Sequence, residues 1–328
     1  MLPRIERTIN GWIKPVAAAG LAFLGLTLAG AVRPAMPPAI TAPGIAFRCQ
    51  NVISPVRVRV LTVLPGETVT LEVVNRELGS NYLAQPAGGQ LVPLGAGSWE
   101  WRSPSAPGLY PIQVAAADGG KAVMLQAFVM VPFDQLQGEY LNGYRIGRYP
   151  AKPLYGLADY LPPAGFIEVT RENENAPVSP HFRLGQFLCK QPGSRRYIVL
   201  NKRLPLALEY ILKRVNEAGL RATTFTIMSG YRTPAYNTSL GNVQYSMHQF
   251  GGAADIFIDE DGDGIMDDLN RDGRCDVHDA ELLYRLIDEA SALPEAQGLI
   301  GGLGKYRATS AHGPFVHVDV RQGRRARW

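Results

Sequence analysis

The stretch Ser246-Met247-His248-Gln249-Phe250-Gly251-Gly252-Ala253-Ala254-Asp255, with Phe315-Val316-His317-Val318-Asp319 following about sixty residues later, decides how the chain is read. Neutral imidazoles and a carboxylate are good zinc ligands, and three protein ligands leave a fourth position for the water of a hydrolytic site. The glycines and alanines between His248 and Asp255 permit a tight loop entering a strand, so that both side chains can converge. A His seven residues before an Asp is, on spacing alone, a common coincidence. Alternate residues of a strand point to the same side, so Asp319 shares a side with His317. Asp319 then reads either as a base or as the carboxylate that orients a ligand imidazole, and orienting is the commoner task.

The pattern Ser-x-His-x-x-Gly-x-Ala-x-Asp with a late Val-His-x-Asp, preceded by Ser229-Gly230-Tyr231-Arg232, resembles the zinc D-Ala-D-Ala carboxypeptidase and murein endopeptidase family. The specific motifs run from Ser229 to Arg321. The resemblance implies zinc on His248, Asp255 and His317. It also implies a role for Arg232 in catalysis and substrate binding, through the substrate carbonyl or carboxylate, which the planar donor fork of a guanidinium suits. The other reading of Arg232 is a tie between its loop and an acidic neighbour. The implied activity is hydrolysis of D-amino-acid peptide bonds in peptidoglycan stems, by an endopeptidase or a carboxypeptidase. One common form of the family has an Asp or Glu three residues before the last His; here that position is Pro314. Other members carry a His five residues before it, which is His312 here, and an imidazole near its normal pKa can move a proton. Ser246 and Tyr306 read equally as substrate donors or as a turn serine and a packed tyrosine. His181 and His278 read as surface or structural residues.

Directly after Asp255, residues 259–279 form an acidic insertion in which two calcium-loop patterns overlap. The later pattern has oxygen donors at positions 1, 3, 5, 9 and 12 (Asp268, Asn270, Asp272, Asp276, Asp279) and Gly273 at position 6, the spacing of an EF-hand loop. The earlier one offers Asp259, Asp261, Asp263 and Asp267 with Gly264, and ends on the weaker donor Asn270. So many carboxylates repel one another without a cation. A structural Ca2+ is the expectation, in a segment that resembles the calcium loops of dockerin modules. Asp279 is expected to open a helix running through Ala280, Leu283 and Ile287.

Outward from the motifs, residues 176–328 read as an α+β zinc peptidase domain. Leu204, Leu208, Ile211, Leu212 and Val215 have helical spacing, Gly219 stops the helix, and a strand from Thr223 to Met228 delivers Ser229. Residues 133–175, rich in Gly, Pro and Tyr, read as an ordered connector lying on that domain. Residues 45–132 read as a small all-β, sandwich-like domain: Val56, Val58 and Val60 alternate with Arg57 and Arg59, Val69, Leu71 and Val73 alternate again, and Trp99 and Trp101 share a face. A Pro-rich spacer covers 32–44. Residues 1–31 combine Arg4, Arg7 and Lys14 with an uncharged apolar run ending in Ala29-Gly30-Ala31, the pattern of a cleaved signal peptide or a retained signal anchor. The chain is therefore expected in the periplasm or cell envelope, touching a membrane only through an uncleaved N-terminal segment.

Composition bounds the rest. With 46% hydrophobic and 19% charged residues the chain is globular, and a dispersed net charge of +4 argues against nucleic acid as a partner. Arg324, Arg325 and Arg327 read as a solvated tail. Cys49, Cys189 and Cys275 lack a thiolate zinc spacing and leave room for one disulfide of unassigned pairing. Two other functions fit the same residues: a non-catalytic cell-wall binding protein that keeps the metal fold, which Pro314 permits, and a different zinc amidase or peptidase acting on the wall.

Overall fold

The computed structural model describes residues 45–328 apart from 51, 75–80 and 119; the expected leader over 1–31 and spacer over 32–44 lie outside the described residues. The fold is mixed α/β, mostly sheet, with few helices. Among the described residues no helix is long and apolar enough to cross a membrane.

Between 45 and 132 two sheets face each other. One runs in the order Val52–Ser54, Phe47–Cys49, Thr68–Val73, Ser98–Arg102, Gln90–Gly95; the other runs Val58–Val63, Ala122–Val129, Ile112–Ala116, Tyr82–Pro86. Period-two alternation supplies their common core, since Val69, Leu71 and Val73 point in while Thr68 and Thr70 are exposed. Trp99 and Trp101 enter the same core.

The expected alternation of Val58 and Val60 with Arg59 does not hold. Arg59 is buried, and its guanidinium donates to Phe47 O at 2.6 Å and Val52 O at 3.0 Å. The cause is burial of both faces of the Val58–Val63 strand. Leu61 and Val63 face the sandwich core, while Val60 packs with Phe128 into the core of residues 167–320. Lys202 Nζ adds a hydrogen bond to Gln50 O at 2.8 Å. The β sandwich and the following residues therefore belong to one compact unit.

The connector is built in. Val131–Pro132, Gly165–Glu168 and Tyr197–Ile198 form one three-stranded sheet that crosses both expected boundaries. Tyr149, half-buried, meets the Tyr231 hydroxyl at 3.0 Å and donates to Gln249 O at 2.9 Å. Those bonds pin the connector to the loop that carries Tyr231 and to the Met247–Phe250 turn.

The functional end is a five-stranded sheet ordered Thr226–Ser229, Ala253–Phe257, Phe315–Asp319, Gly302–Tyr306, Ala326–Arg327. Ala254, Ile256, Leu303, Val316 and Val318 turn to one face and pack on the Arg203–Glu217 and Val277–Ser291 helices through Leu208, Ile211, Leu283 and Ile287. That leaves Asp255, His317 and Asp319 on the opposite face. The second helix starts at Val277, two residues before the expected Asp279, because Asp276 caps it and Asp279 closes a capping box.

Residues 324–327 are not a solvated tail. Arg325 and Arg327 donate to Asp288 Oδ1 at 2.7 and 2.6 Å, Arg327 also reaches Gly301 O, and Arg324 lies over the Tyr155 ring. The acidic end of the Val277–Ser291 helix recruits what a linear reading leaves in water. All three cysteines are free thiols, Cys49 and Cys189 buried and Cys275 exposed, so no disulfide forms.

Candidate metal centre

Strand register brings the ligands together. Asp255 stands directly opposite His317 in an antiparallel pair, and Ser229 flanks Asp255 on the next strand. Opposed side chains of such a pair have Cβ atoms about 5 Å apart, within reach of one shared ion. His248 arrives from the short 3-10 helix Met247–Phe250, which ends at Gly251 with φ of 65°. A Cβ at Gly251 would run into the Val199 carbonyl, so only glycine turns the chain here between His248 and the Ala253–Phe257 strand.

His248 Nε2, Asp255 Oδ1 and His317 Nδ1 form a triangle with sides of 3.2, 2.8 and 3.2 Å. Neighbouring donor atoms of a tetrahedral zinc site bound at about 2.0–2.1 Å lie roughly 3.3 Å apart, so the donor set and its spacing fit that ion. Each imidazole is fixed by its other nitrogen. His248 Nδ1–H donates to Gly230 O at 2.6 Å, which leaves the Nε2 lone pair facing the triangle. His317 Nε2–H points at Asp319 Oδ2, 3.3 Å away, which turns Nδ1 inward.

Asp319 is completely buried and heavily engaged. It accepts from Gly302 N at 2.9 Å, from Arg321 N at 3.1 Å, and from the Arg321 Nε and Nη2 groups. A carboxylate so enclosed orients His317 and has no lone pair turned to solvent.

Charge in the triangle follows from these contacts. Burial lowers the His248 imidazole below its ordinary value, against the opposing pull of Asp255. Burial would also lower His317, but hydrogen bonds to Asp255 and Asp319 outweigh it and push His317 up to about 9. For Asp255, burial acts upward, yet its contacts with the His248 and His317 imidazoles hold the carboxyl far below the usual range.

Arg232 takes the tie-forming role. Its Nη2 lies 2.5 Å from Asp255 Oδ2, and its Nε donates to Ser229 Oγ at 2.8 Å. That leaves Nη1 without a hydrogen bond among the described residues. Ser246 is half-buried next to Met247, and its side chain makes no cap hydrogen bond to the Met247–Phe250 turn, whereas Tyr306 stacks on Phe315 at 4.6 Å and accepts from Trp328 Nε1 at 2.5 Å. His312 joins no bond to the triangle. Its Nδ1 donates to Gly313 O at 2.8 Å and its ring meets the edge of Phe315 at 5.0 Å. His181 pairs with Glu209 at 2.7 Å, and His278 with Asp276 at 2.9 Å.

In the acidic insertion both position-6 glycines, Gly264 and Gly273, adopt φ of 84°, the sharp turn such loops use. The earlier loop, not the later one, gathers its carboxylates. Asp259, Asp261 and Asp267 bring oxygens within 4.8 Å of one another. Burial, and beyond it the charges of Asp261 and Asp259, raise the Asp267 carboxyl, against a backbone bond from Glu260. In the later loop both oxygens of Asp279 already accept backbone N–H groups, from Leu269, Asn270 and Asp276. Asp268, Asp272 and Asp276 likewise accept from backbone N–H groups, and Asn270 Oδ1 from Asp272 N; Asp259, Asp261, Asp263 and Asp267 do the same in the earlier loop.

Residues that sequence patterns do not single out also shape the centre. Tyr149 braces both motif loops, Arg321 clamps Asp319, and Trp328 lies with its ring 5.2 Å from that of His317. Arg321, two residues beyond Asp319 and just past the end of the Phe315–Asp319 strand, has the one local signal among them. No family model, no curated protein and no solved structure matches this chain.

Proposed function

We propose that the chain is an exported zinc-dependent peptidase that hydrolyses D-amino-acid-containing peptide bonds in peptidoglycan stems, as an endopeptidase or a D-Ala carboxypeptidase. The observation that carries it is the ligand triangle on His248, Asp255 and His317, with both imidazoles oriented from behind. Zinc held by these residues would supply a Lewis acid, the chemistry of amide hydrolysis. The chain's own groups do the rest. Gly230 and Asp319 set the imidazole tautomers, and Arg232 keeps Asp255 in place while its free Nη1 is available to a substrate carbonyl or carboxylate. Ser246 supplies a hydroxyl at the rim. His312 is the acid or base, on a loop that must bring its ring toward the triangle in the substrate complex. Calcium in the 259–279 insertion supports the strand that carries Asp255. The substrate class rests on the motif resemblance and the N-terminal export pattern.

A second reading has its own support. Position 314 is Pro and His312 is bonded to Gly313 O, so among the described residues neither position at which an acid or base is expected makes a hydrogen bond to the triangle. A wall-binding protein that keeps the metal fold without turnover would look the same. Incubation of the purified protein with defined muropeptides, with and without chelator, and mass spectrometry of the products decides between them. Chelator-sensitive release of D-Ala or of uncross-linked stems supports the peptidase; binding without product supports the second reading.

A further inference from the structure

Trp328, though 44% exposed and without a part in the reaction just described, lies against the centre. Its indole ring lies 5.2 Å from the ring of His317 and is tilted 42° to it. On another side it meets the guanidinium of Arg321, 5.7 Å from the ring centre. Its Nε1–H donates to Tyr306 Oη at 2.5 Å, and its backbone bonds to Leu303 and Lys305 secure it along the Gly302–Tyr306 strand.

That strand is cleared to receive it. Gly304 stands opposite His317, and Gly302 opposite Asp319. A Cβ at Gly304 would collide with the indole nitrogen, and one at Gly302 with the Asp319 carboxylate. Two glycines on one side of a strand thus make a notch, filled by Trp328 and Asp319. Trp328 therefore touches both ends of the sequence of contacts Arg321–Asp319–His317 that turns His317 Nδ1 inward.

We propose that Trp328 is a positioning residue of the metal centre, which holds the ring of His317 at the angle that presents Nδ1 to the ion and keeps Arg321 on Asp319. Behind the ring the His317 imidazole has one long hydrogen bond, 3.3 Å to Asp319, besides the contacts its Nδ1 makes inside the triangle; an aromatic wall against the ring further limits rotation about its Cβ–Cγ bond. The proposal rests on the zinc reading above.

The test uses the full-length chain, purified in mild detergent, as parent, Trp328→Phe and Trp328→Leu. Leu fills the notch without an aromatic ring, and Phe keeps the ring without the N–H. Zinc affinity is measured by competition with a chromophoric chelator, and site geometry by the visible spectrum of the cobalt form. Trp328→Leu is expected to bind zinc about 10-fold or more weaker with an altered cobalt spectrum, the effect usual for groups that orient a ligand. Trp328→Phe is expected to restore most of both. Parent-like affinity and spectrum in Trp328→Leu would overturn the proposal, and so would equal losses in Leu and Phe, which would assign the effect to the Tyr306 bond. If the parent takes up no zinc, or His248→Ala takes up as much as the parent, the zinc reading itself fails and this proposal with it.

Discussion

Asp255 faces His317 across an antiparallel strand pair, and the same carboxylate gives Oδ1 to the ligand triangle and Oδ2 to Arg232. Asp255 is thus shared between the two imidazoles of the triangle and a cation of the protein itself. An anion enclosed this way needs both partners, since a buried charge deprived of one is strongly destabilising.

The zinc content of the purified chain is therefore expected to be about one per molecule. His248→Ala, Asp255→Ala and His317→Ala should each lose it, and chelation should lower the melting temperature of the parent only. Metal analysis of the three variants checks this; full zinc in any of them removes that residue from the ligand set.

Arg232→Ala should destabilise the metal-free protein by about 3 kcal/mol or more, because it strands a buried carboxylate. Arg232→Lys should recover only part, as an ammonium lacks the fork that serves Asp255 and Ser229 together. Urea unfolding in the presence of chelator measures both. A stability loss near zero for Arg232→Ala would show that the Asp255 pair contributes nothing to the fold.

His312 and Asp319 are separable. His312→Ala should keep its zinc and lose about 100-fold in turnover on muropeptides, the worth of a positioned acid or base. Asp319→Asn should weaken zinc binding by about 10 to 100-fold, with part of the activity returning in excess zinc. Kinetics at saturating zinc on both variants distinguish them. Wild-type turnover in His312→Ala would strike it from the reaction.

Calcium should raise the melting temperature by mass action, by an amount that grows with concentration. The carboxylate cluster locates the effect in the earlier loop, so an Asp259→Ala, Asp261→Ala variant should lose the calcium response while Asp272→Ala retains most of it. The reverse pattern would return the site to the later loop.

A pH signature belongs to His181, whose hydrogen bond and charge contact with Glu209 raise its pKa above the ordinary 6.5 despite burial. A histidine with a raised folded pKa binds its proton more tightly when folded. Its stabilisation is fully present below pH 6.5 and is lost as the pH climbs through the folded value. The melting-temperature gap between parent and His181→Gln should therefore be widest in mild acid and narrow as pH rises. A gap independent of pH would mean that the pair carries no charge.

Short-range physics made much of this legible in one dimension. The period of two places His317 and Asp319 on one strand side, the 3.6-residue period gives the Arg203–Glu217 helix, and glycine at a loop's sixth position marks each calcium-type turn. The types of the candidate ligands are also a property of the sequence alone, because donor chemistry does not depend on neighbours. Only the folded chain decided the rest. The register that sets Asp255 against His317, the inward turn of Arg59, the capture of Arg325 and Arg327 by Asp288, and the seating of Trp328 over Gly304 all join segments far apart in sequence. Such contacts are chosen by burial summed over whole sheets and by the charges that burial brings near. A local window holds the residue on one side of each contact and not the other. For that reason Arg232 reads from its motif as a substrate ligand, and in the fold is held first by the carboxylate of Asp255.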